Sequence, residues 1–314
     1  MASSCLVTGG AGFIGSALVR ALLARGDRVR VLDNFYSGKR ENLATVAADV
    51  DLIEGDLRDA GALGRALDGV ELVFHEAAIA SVPRSLVDPV ASHEVNASAT
   101  LDLLAAANRA GVRRLIYAAS SSAYGDTPTL PQIETMAPAP LSPYAVSKLA
   151  GEHYCRMFAG AYGLETVCLR YFNVFGPYQD PASEYAAVIP RFITAALAGR
   201  GVTIFGDGAQ SRDFCYLDNT VEANLAAAVA PAASGGVFNV ACGAATDLNQ
   251  VVTLIGELVG HPVPVTYAPR RVGDVRHSLA DIGAARDRLG YRAAISFREG
   301  LARTVSWYGQ AAGS

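Results

Sequence analysis

The sequence predicts an α/β fold in which a doubly wound parallel sheet carries a smaller, interleaved C-terminal α/β domain. Three observations support this prediction: short apolar segments alternate with longer amphipathic ones, a glycine-rich turn follows the first apolar segment, and the pattern changes after about residue 175. Near-continuous apolar strands separated by helices are typical of a parallel sheet covered on both faces. Ligands of such sheets bind at the carboxyl ends of the strands, near the point where the strand order reverses.

The elements follow from this alternation. Strands are predicted at Cys5–Thr8, Val29–Leu32, Asp51–Glu54, Leu72–His75, Leu115–Ala119 and Thr166–Leu169. Helices are predicted between them, near Ser16–Ala24, Asp59–Leu67, Ser92–Ala110 and Tyr144–Tyr162. Pro and Gly then become denser, and the later elements are strands Val202–Phe205, Val237–Val240 and Val263–Tyr267 and helices Ala187–Leu197, Leu248–Val259 and Ile282–Leu289. We therefore expect a Rossmann-type domain in residues 1–175, with return segments near 202–245, and a mainly substrate-binding domain in residues 176–314.

Composition excludes several classes of partner. The chain has 314 residues, of which 51% are hydrophobic, and 26 basic against 30 acidic residues give a net charge of -4. A nucleic-acid binder usually presents a basic face, so no nucleic-acid partner is expected. No apolar stretch approaches the ~20 residues of a membrane span, so no membrane partner is expected. The scattered cysteines lack a C-x-x-C pair, which favours free thiols and a cytoplasmic location.

Residues 8–15, Thr-Gly-Gly-Ala-Gly-Phe-Ile-Gly, follow the first predicted strand and open the first predicted helix. Gly9, Gly12 and Gly15 would allow a tight turn, a close approach of backbone to a pyrophosphate, and close packing of helix on strand. The helix N-terminus would add free N–H groups and a positive dipole. Asp33 ends the second strand, where a carboxylate suits a ribose diol and repels a 2′-phosphate, so NAD is favoured over NADP.

Two further residue types allow alternative interpretations. Asp56 could contact the adenine amino group or serve as the N-cap of the helix Asp59–Leu67, and the sequence leaves both open. His75 and His277 could suggest a metal or an acid/base group. Neither histidine is paired with another ligand at helical spacing, so no metal is expected.

Tyr144 and Lys148 lie four residues apart at the start of a predicted helix, so their side chains share one face. A phenol is a poor base at neutral pH because its reference pKa is about 10, and a fixed ammonium nearby favours the phenolate. Lysine is rare here, since only Lys39 and Lys148 occur in the chain. The strand Leu115–Ala119 ends at Ser120, whose hydroxyl could bridge Tyr144 and a substrate oxygen.

These segments together resemble the extended short-chain dehydrogenase/reductase superfamily. The resemblance is carried by the glycine turn, by Ser-Ser-x-Tyr-Gly, by Tyr-x-x-x-Lys and by Arg-Tyr-Phe-Asn-Val-Phe-Gly-Pro, and it covers residues 4–309. Within the superfamily the chain is similar to the UDP-hexose 4-epimerases. The resemblance implies that Tyr144 is the base, that Lys148 holds the nicotinamide ribose, and that Ser120 is the hydroxyl partner. C4 of the sugar would be oxidised by NAD and then reduced on its other face.

The residues after Ser120 distinguish subfamilies. The 4,6-dehydratases of this superfamily carry an Asp-Glu pair there, and the UDP-glucuronate decarboxylases typically carry a Glu. Ser121 and Ser122 cannot supply a carboxyl group, so the sequence favours reversible oxidation at C4 without elimination.

The resemblance also implies two sets of ligand contacts. The NAD contacts are Gly9, Gly12, Phe13, Ile14, Gly15, Asp33, Asn34, Ser37, Gly38, Asp56, Leu57, Ala77, Ala78, Tyr144, Lys148 and Phe172. The contacts with a UDP-sugar are Ser81, Ser120, Ser122, Tyr144, Asn173, Ala187, Val188, Arg191, Phe205, Arg212, Arg271, Asp274 and Ser278. Arg212 and Arg271 would clamp the pyrophosphate, although solvated surface arginine is the alternative. Phe205 would stack on the base or serve as a core aromatic.

Substrate preference depends on Ser278, which the resemblance places beside the C2 substituent, where a tyrosine in some relatives excludes N-acetyl groups. The runs Ser81–Ser85 and Tyr185–Pro190 also resemble the subgroup acting on UDP-N-acetylhexosamines. We therefore expect interconversion of UDP-GlcNAc and UDP-GalNAc, with some activity on UDP-Glc and UDP-Gal. The alternatives are a UDP-glucose-only or UDP-glucuronate 4-epimerase, a 4-reductase, and a non-catalytic NAD-binding regulatory protein. The resemblance further implies a homodimer formed by the helices at Ser92–Ala110 and Tyr144–Tyr162.

Overall fold

The structure is a computed structural model that describes residues 2–181, 187–270 and 275–312. Its strands are β1 Ser4–Thr8, β2 Arg28–Asp33, β3 Val50–Glu54, β4 Leu72–His75, β5 Arg114–Ser120, β6 Glu165–Tyr171, β7 Val174–Phe175, β8 Val202–Phe205, β9 Ser211–Asp213, β10 Cys215–Tyr216, β11 Gly236–Val240, β12 Ala245–Asp247 and β13 Val265–Ala268. Its α-helices are α1 Phe13–Ala24, α2 Ala60–Leu67, α3 Val82–Val87, α4 Pro89–His93, α5 Ala99–Arg109, α6 Pro143–Ala161, α7 Val188–Leu197, α8 Leu217–Val229, α9 Leu248–Val259, α10 Gly283–Leu289 and α11 Phe297–Ala312. Two 3₁₀ turns, Arg40–Val46 and Ser121–Tyr124, and a π-turn, Glu94–Ser98, complete the set.

Seven parallel strands form the central sheet in the order β11-β6-β5-β4-β1-β2-β3. The order reverses between β1 and β4, where Thr8 pairs with His75. On the neighbouring strands Ser120 pairs with Tyr171, so the carboxyl ends of β1, β4, β5 and β6 share one edge. The predicted Rossmann-type α/β fold is confirmed.

Two hydrophobic clusters cover the faces of this sheet. One joins residues of α1 and α8 to the strands, and the other joins residues of α2, α5 and α6 to the opposite face. A third cluster is formed by residues from Phe175 onward, in α7, α9, α11 and their short strands. Burial of apolar surface on both faces explains why the strands read as near-continuous apolar runs.

Most predicted elements are confirmed to within three residues at each end, and β11 pairs with β6 as expected for a segment that returns to the main sheet. The single helix predicted at Ser92–Ala110 is wrong, because the π-turn interrupts it between α4 and α5. In that turn Asn96 points inward, donates to the Ile79 carbonyl and to Ser147 Oγ, and accepts from the Ile79 N–H. A π-turn re-aims one side chain in this way and is frequent at functional sites.

Helices α8 and α11 were not predicted from the sequence. Helix α8 is alanine-rich, and the contrast between its two faces is weak because Asn219 and Asn224 are buried beside the alanines. The strand predicted from Val263 begins at Val265 in β13, since Pro264 has no N–H to donate to a sheet. Across residues 2–181, 187–270 and 275–312, no helix combines the length and apolar character needed to cross a bilayer.

Candidate active site

The turn between β1 and α1 is built from glycines because the backbone leaves no room for side chains. Gly9 has φ +69°, and a Cβ there would lie 2.7 Å from the Ala77 Cα. A Cβ on Gly15 would lie 2.2 Å from the Gly9 carbonyl oxygen. Gly12 precedes α1, which has no side-chain cap and no acidic residue in its first turn. The N–H groups around Phe13 and Ile14 are therefore left for an anionic ligand.

Asp33 lies beside this turn at the end of β2. Its Oδ2 accepts the Ala11 N–H at 2.9 Å and its Oδ1 accepts the Phe35 N–H at 2.8 Å, so both oxygens keep lone pairs for a ligand. Burial raises the pKa of Asp33, and the two backbone N–H groups oppose that rise. Gly38, which follows Ser37 in the next loop, lies so close that a Cβ would be 3.0 Å from Oδ1. A glycine turn at a free helix end with a carboxylate beside it fits NAD.

Asp56 does not cap a helix. Its carboxylate accepts from the Arg58 guanidinium and from Asn34 Nδ2, each at 2.9 Å, and the hydrogen bond from Arg58 is the main reason that its pKa is lowered. The N-cap of α2 is Asp59, which accepts the Gly61 N–H at 2.8 Å. The N-cap interpretation of Asp56 is therefore wrong, and the contact with adenine stays a prediction.

Two predicted cofactor residues have buried side chains. Leu57 belongs to the core beneath α2, and Phe172 is 0% exposed and packs against Tyr124. The predicted contact of Phe172 with NAD therefore stays a prediction. Ala77 and Ala78 follow Glu76 after the end of β4, and Ala77 lies beside the glycine turn.

Ser120, Tyr144 and Lys148 come together at the carboxyl edge of the sheet. Helix α6 begins at Pro143 with Ser142 as its N-cap, which accepts the Ala145 N–H at 3.2 Å. Burial raises the pKa of the Tyr144 phenol, and the Ser120 side chain opposes that rise. Burial lowers the pKa of Lys148 to about 8. The predicted triad is thus one cluster in the structure, although the role of each member stays a proposal.

The hydroxyl of Ser120 is oriented by its neighbour. Ser120 Oγ accepts from the Ser122 hydroxyl at 2.8 Å and from the Ser122 N–H at 3.2 Å. Because Ser120 acts twice as an acceptor, its own proton is left for the Tyr144 phenol, whose pKa burial raises and the Ser120 side chain lowers. The turn Ser121–Tyr124 holds no carboxylate.

His75 and His277, which could suggest a metal or an acid/base group, each lie within hydrogen-bonding distance of side chains of the protein. His75 is 0% exposed, its Nδ1 lies 2.8 Å from Thr8 Oγ1 and its Nε2 lies 2.9 Å from Thr100 Oγ1. Burial lowers its pKa to about 3, so the ring is neutral at physiological pH. His277 Nδ1 lies 2.9 Å from Ser211 Oγ.

A cavity of about 300 Å³ is lined by residues between Asn173 and Arg276, most of which belong to the C-terminal part of the chain. Its lining includes six predicted substrate residues, Asn173, Ala187, Val188, Arg191, Phe205 and Arg212. Gln210 and Arg276 are among the lining residues that were not predicted. Gln210 donates to the Phe205 carbonyl at 2.7 Å, and its position in a Gly-rich loop was the available signal. Arg271 and Asp274, and the start of the run Tyr185–Pro190, lie outside the described residues.

Arg212 lines this cavity, and its side chain also hydrogen-bonds the backbone around it. Its guanidinium donates to the Ser211 carbonyl at 2.8 Å and to the Arg276 carbonyl at 3.0 Å. It therefore ties β9 to the segment that follows residue 275. The predicted clamp on a pyrophosphate remains untested by this geometry.

Ser278 and Asn173 touch each other. Asn173 has φ +34°, and its Nδ2 donates to Ser278 Oγ at 3.3 Å and to the Asp213 carbonyl at 3.1 Å. Ser278 is only 7% exposed. Ser81, by contrast, serves as the N-cap of α3 and accepts the Arg84 N–H at 3.2 Å.

Glu76 and Tyr171, which lie near the cluster of Ser120, Tyr144 and Lys148, were not among the predicted site residues. Glu76 follows β4 and accepts the Tyr171 hydroxyl at 2.7 Å, while Tyr171 also accepts from Asn224 Nδ2 at 2.8 Å. Burial raises the pKa of Glu76 to about 7. An acid directly after an apolar strand was an available signal for Glu76, whereas nothing local distinguished Tyr171.

The chain is similar to known proteins over its whole length. Residues 5–241 match the NAD dependent epimerase/dehydratase family. A UDP-glucose 4-epimerase of Mycolicibacterium smegmatis is 41% identical, with 96% of this chain and 97% of that protein covered. The structure of a UDP-N-acetylglucosamine 4-epimerase from Methanobrevibacter ruminantium in complex with UDP-N-acetylmuramic acid is 40% identical, with 99% of both chains covered and a TM-score of 0.94. The structure of a Thermus thermophilus UDP-glucose 4-epimerase complexed with NAD is 39% identical, covers 97% of this chain and 98% of its own, and has a TM-score of 0.89.

Proposed function

The chain belongs to the NAD-dependent epimerase/dehydratase family and uses NAD, and from this we propose that it inverts C4 of a UDP-hexose, with UDP-GlcNAc and UDP-GalNAc as preferred pair. The observation that carries the proposal is the meeting of Ser120, Tyr144 and Lys148 at the edge where the glycine turn leaves a helix end free.

The residues of the chain supply binding and proton transfer. Tyr144 takes the proton of the sugar's 4-hydroxyl and later returns it to the same oxygen. The Lys148 ammonium favours the phenolate that this requires, and the Ser120 hydroxyl, which hydrogen-bonds the Tyr144 phenol, stabilises the same phenolate. When bound, NAD accepts the C4 hydride and gives it back, so the net reaction is redox-neutral. The sugar must present its other face between the two transfers, which needs a cavity with room to turn.

The absence of a carboxylate beside Ser120 supports epimerisation over elimination. Expulsion of a C6 hydroxyl or loss of a carboxyl group needs an additional acid or base at the sugar. In the turn Ser121–Tyr124 the positions after Ser120 hold hydroxyl groups instead, and one of them is already committed to Ser120.

The N-acetylated substrate pair is proposed because Ser278 is small. Ser278 lies against Asn173, which lines the cavity, so a large side chain at 278 would push Asn173 toward the space that we assign to the sugar. Support also comes from the N-acetylhexosamine relative that aligns over 99% of the chain. UDP-glucose-only and UDP-glucuronate epimerisation remain the alternatives.

Ser278→Tyr is expected to lower kcat/KM for UDP-GlcNAc by on the order of 100-fold and to spare UDP-Glc, because added bulk rejects the larger C2 substituent. Ser278→Ala is the matched control, since it removes the hydroxyl without adding volume. Equal losses on both sugars in the tyrosine variant would contradict the gate.

The direct test of the function is incubation of the purified protein with UDP-GlcNAc, UDP-Glc or UDP-GlcA, without added cofactor, followed by sugar analysis. We expect GalNAc to appear fastest. Product from UDP-Glc alone, or from UDP-GlcA alone, would select one of the alternative epimerases. Retained NAD with no product from any sugar would point to a non-catalytic NAD-binding protein.

We also propose a homodimer that forms through the two predicted helical segments, Ser92–Ala110 and Tyr144–Tyr162, and that extends onto the adjoining α3 and α4. These helices pack together. Their outer surface is apolar, with Leu86 62%, Val87 78%, Val90 65% and Val146 50% exposed. Several large apolar side chains exposed on neighbouring helices are typical of an interaction surface.

Light scattering is expected to give the mass of two chains for the protein and of one chain for Val87→Glu, because the new charge would be buried in the interface. Val229→Glu is a matched control, since Val229 is 67% exposed on α8, which covers the opposite face of the sheet. A monomeric wild-type protein would remove the proposal.

Two coarser proposals complete this picture. The division into an NAD-binding domain, residues 1–175, and a mainly nucleotide-sugar-binding domain, residues 176–314, is supported by the separate hydrophobic cluster that begins at Phe175. A cytoplasmic location is supported by the five cysteines, all of which are free.

A further inference from the structure

The charged ammonium of Lys148 is buried, which is energetically unfavourable. The residue is 4% exposed, and among the described residues its ammonium forms no ion pair with a carboxylate. Burial lowers its pKa to about 8, and Glu76 opposes this shift. The pKa of Glu76 is itself raised to about 7, so its carboxyl is only partly ionised near neutrality. A partner whose attraction does not change with pH would secure the ammonium better.

Tyr117 has the geometry of such a partner. It is 0% exposed on β5, and Lys148 Nζ lies 4.6 Å from the centroid of its ring. The face of an aromatic ring attracts a cation, and the attraction is strongest where water is excluded. The Tyr117 hydroxyl donates to the Lys148 carbonyl at 3.2 Å. One side chain therefore holds both the ammonium and the backbone of the same lysine.

Helix α6 makes room for this ring. Gly151 lies three residues after Lys148, and a Cβ there would be 2.3 Å from the Tyr117 hydroxyl oxygen and 2.6 Å from Cζ. Glycine weakens the interior of a helix, so its presence at this position reflects the close approach of the ring.

We propose that Tyr117 is a positioning residue that keeps the Lys148 ammonium charged and correctly oriented. Gly151 leaves the space in α6 that the Tyr117 ring occupies. This inference rests on the proposed role of Lys148. The groups that face Lys148 from its surroundings are His75, Glu76, Tyr117, Cys155 and Cys168. Burial keeps His75 neutral, whereas Glu76 is partly ionised near neutrality.

The test measures the pKa of Lys148 directly in the holoenzyme. Because Lys39 and Lys148 are the only lysines, lysine labelled with ¹³C at Cε gives two NMR signals, and Lys39→Arg assigns them. Tyr117→Phe keeps the ring face and is expected to leave the Lys148 titration midpoint within a few tenths of a pH unit. Trifluorophenylalanine at position 117 nearly keeps the shape of the ring, but its fluorines weaken the attraction of the ring face for a cation. It is expected to lower the Lys148 titration midpoint by about one pH unit.

A second readout follows from the same variants. As the Lys148 pKa falls, the basic limb of the kcat profile should move to lower pH by the same amount in the trifluoro variant and stay in place in Tyr117→Phe. Identical Lys148 midpoints in the phenylalanine and trifluorophenylalanine proteins would overturn the proposal. The NMR titration needs no turnover, so it decides the role of Tyr117 even if no UDP-sugar proves to be a substrate.

Discussion

Tyr144→Phe is expected to lower kcat for epimerisation by about 10²- to 10⁴-fold, the range contributed by a positioned acid/base group. The ring would still fill its place beside Ser120, but no hydroxyl would remain to exchange a proton with the sugar. The measurement is the rate of UDP-sugar interconversion, together with the NAD content of the purified variant and its Tm.

The loss should be confined to chemistry, so NAD content and Tm of Tyr144→Phe should equal those of the wild type. Tyr162→Phe is the matched control, since Tyr162 ends the same helix and is 58% exposed. It loses the same atom with no expected effect. Turnover by Tyr144→Phe close to that of Tyr162→Phe would assign the proton transfer to another group.

Gly15→Ala is expected to release NAD and to destabilise the protein by about 1–3 kcal/mol, the usual cost of overpacking. The added Cβ would lie 2.2 Å from the Gly9 carbonyl oxygen and 2.9 Å from the Gly10 Cα, both of which are backbone atoms that cannot rotate away. The turn must open, and the first N–H groups of α1 would lose their alignment toward a pyrophosphate. Loss of the cofactor would lower the Tm further, because a ligand bound only to the native state stabilises it.

The measurement is the NAD released on denaturation, per chain, and the Tm with and without added NAD. Gly64→Ala is the matched control, since Gly64 lies inside α2 and nothing lies within 4 Å of the added Cβ. Replacing glycine in an open helix position should stabilise the protein by roughly 0.5–1 kcal/mol. If Gly15→Ala held one NAD per chain with the Tm of Gly64→Ala, the turn would not be the cofactor site.

Most strands and helices and the glycine turn could be predicted from the sequence because each depends on the residue pattern of one short segment. Strands β1, β4, β5 and β6 show as mainly apolar runs, and α9 was predicted with its observed bounds. The same reasoning failed for the helix predicted at Ser92–Ala110, since a π-turn adds one residue without changing the apolar pattern. It also left Asp56 open between a contact with adenine and the N-cap of α2, because an acid just before a helix fits both, and in the structure Asp59 is the N-cap.

The sequence by itself determined which residues share a local segment: the glycines that must turn, and Tyr144 and Lys148 on one face of α6. Only the tertiary structure decided what faces that pair. Tyr117 reaches Lys148 from β5, Glu76 meets Tyr171 from β4 to β6, and Ser278 touches Asn173 across more than a hundred residues. The physical reason is that hydrophobic period sets the type and exposed face of an element, whereas strand order and loop paths set its neighbours.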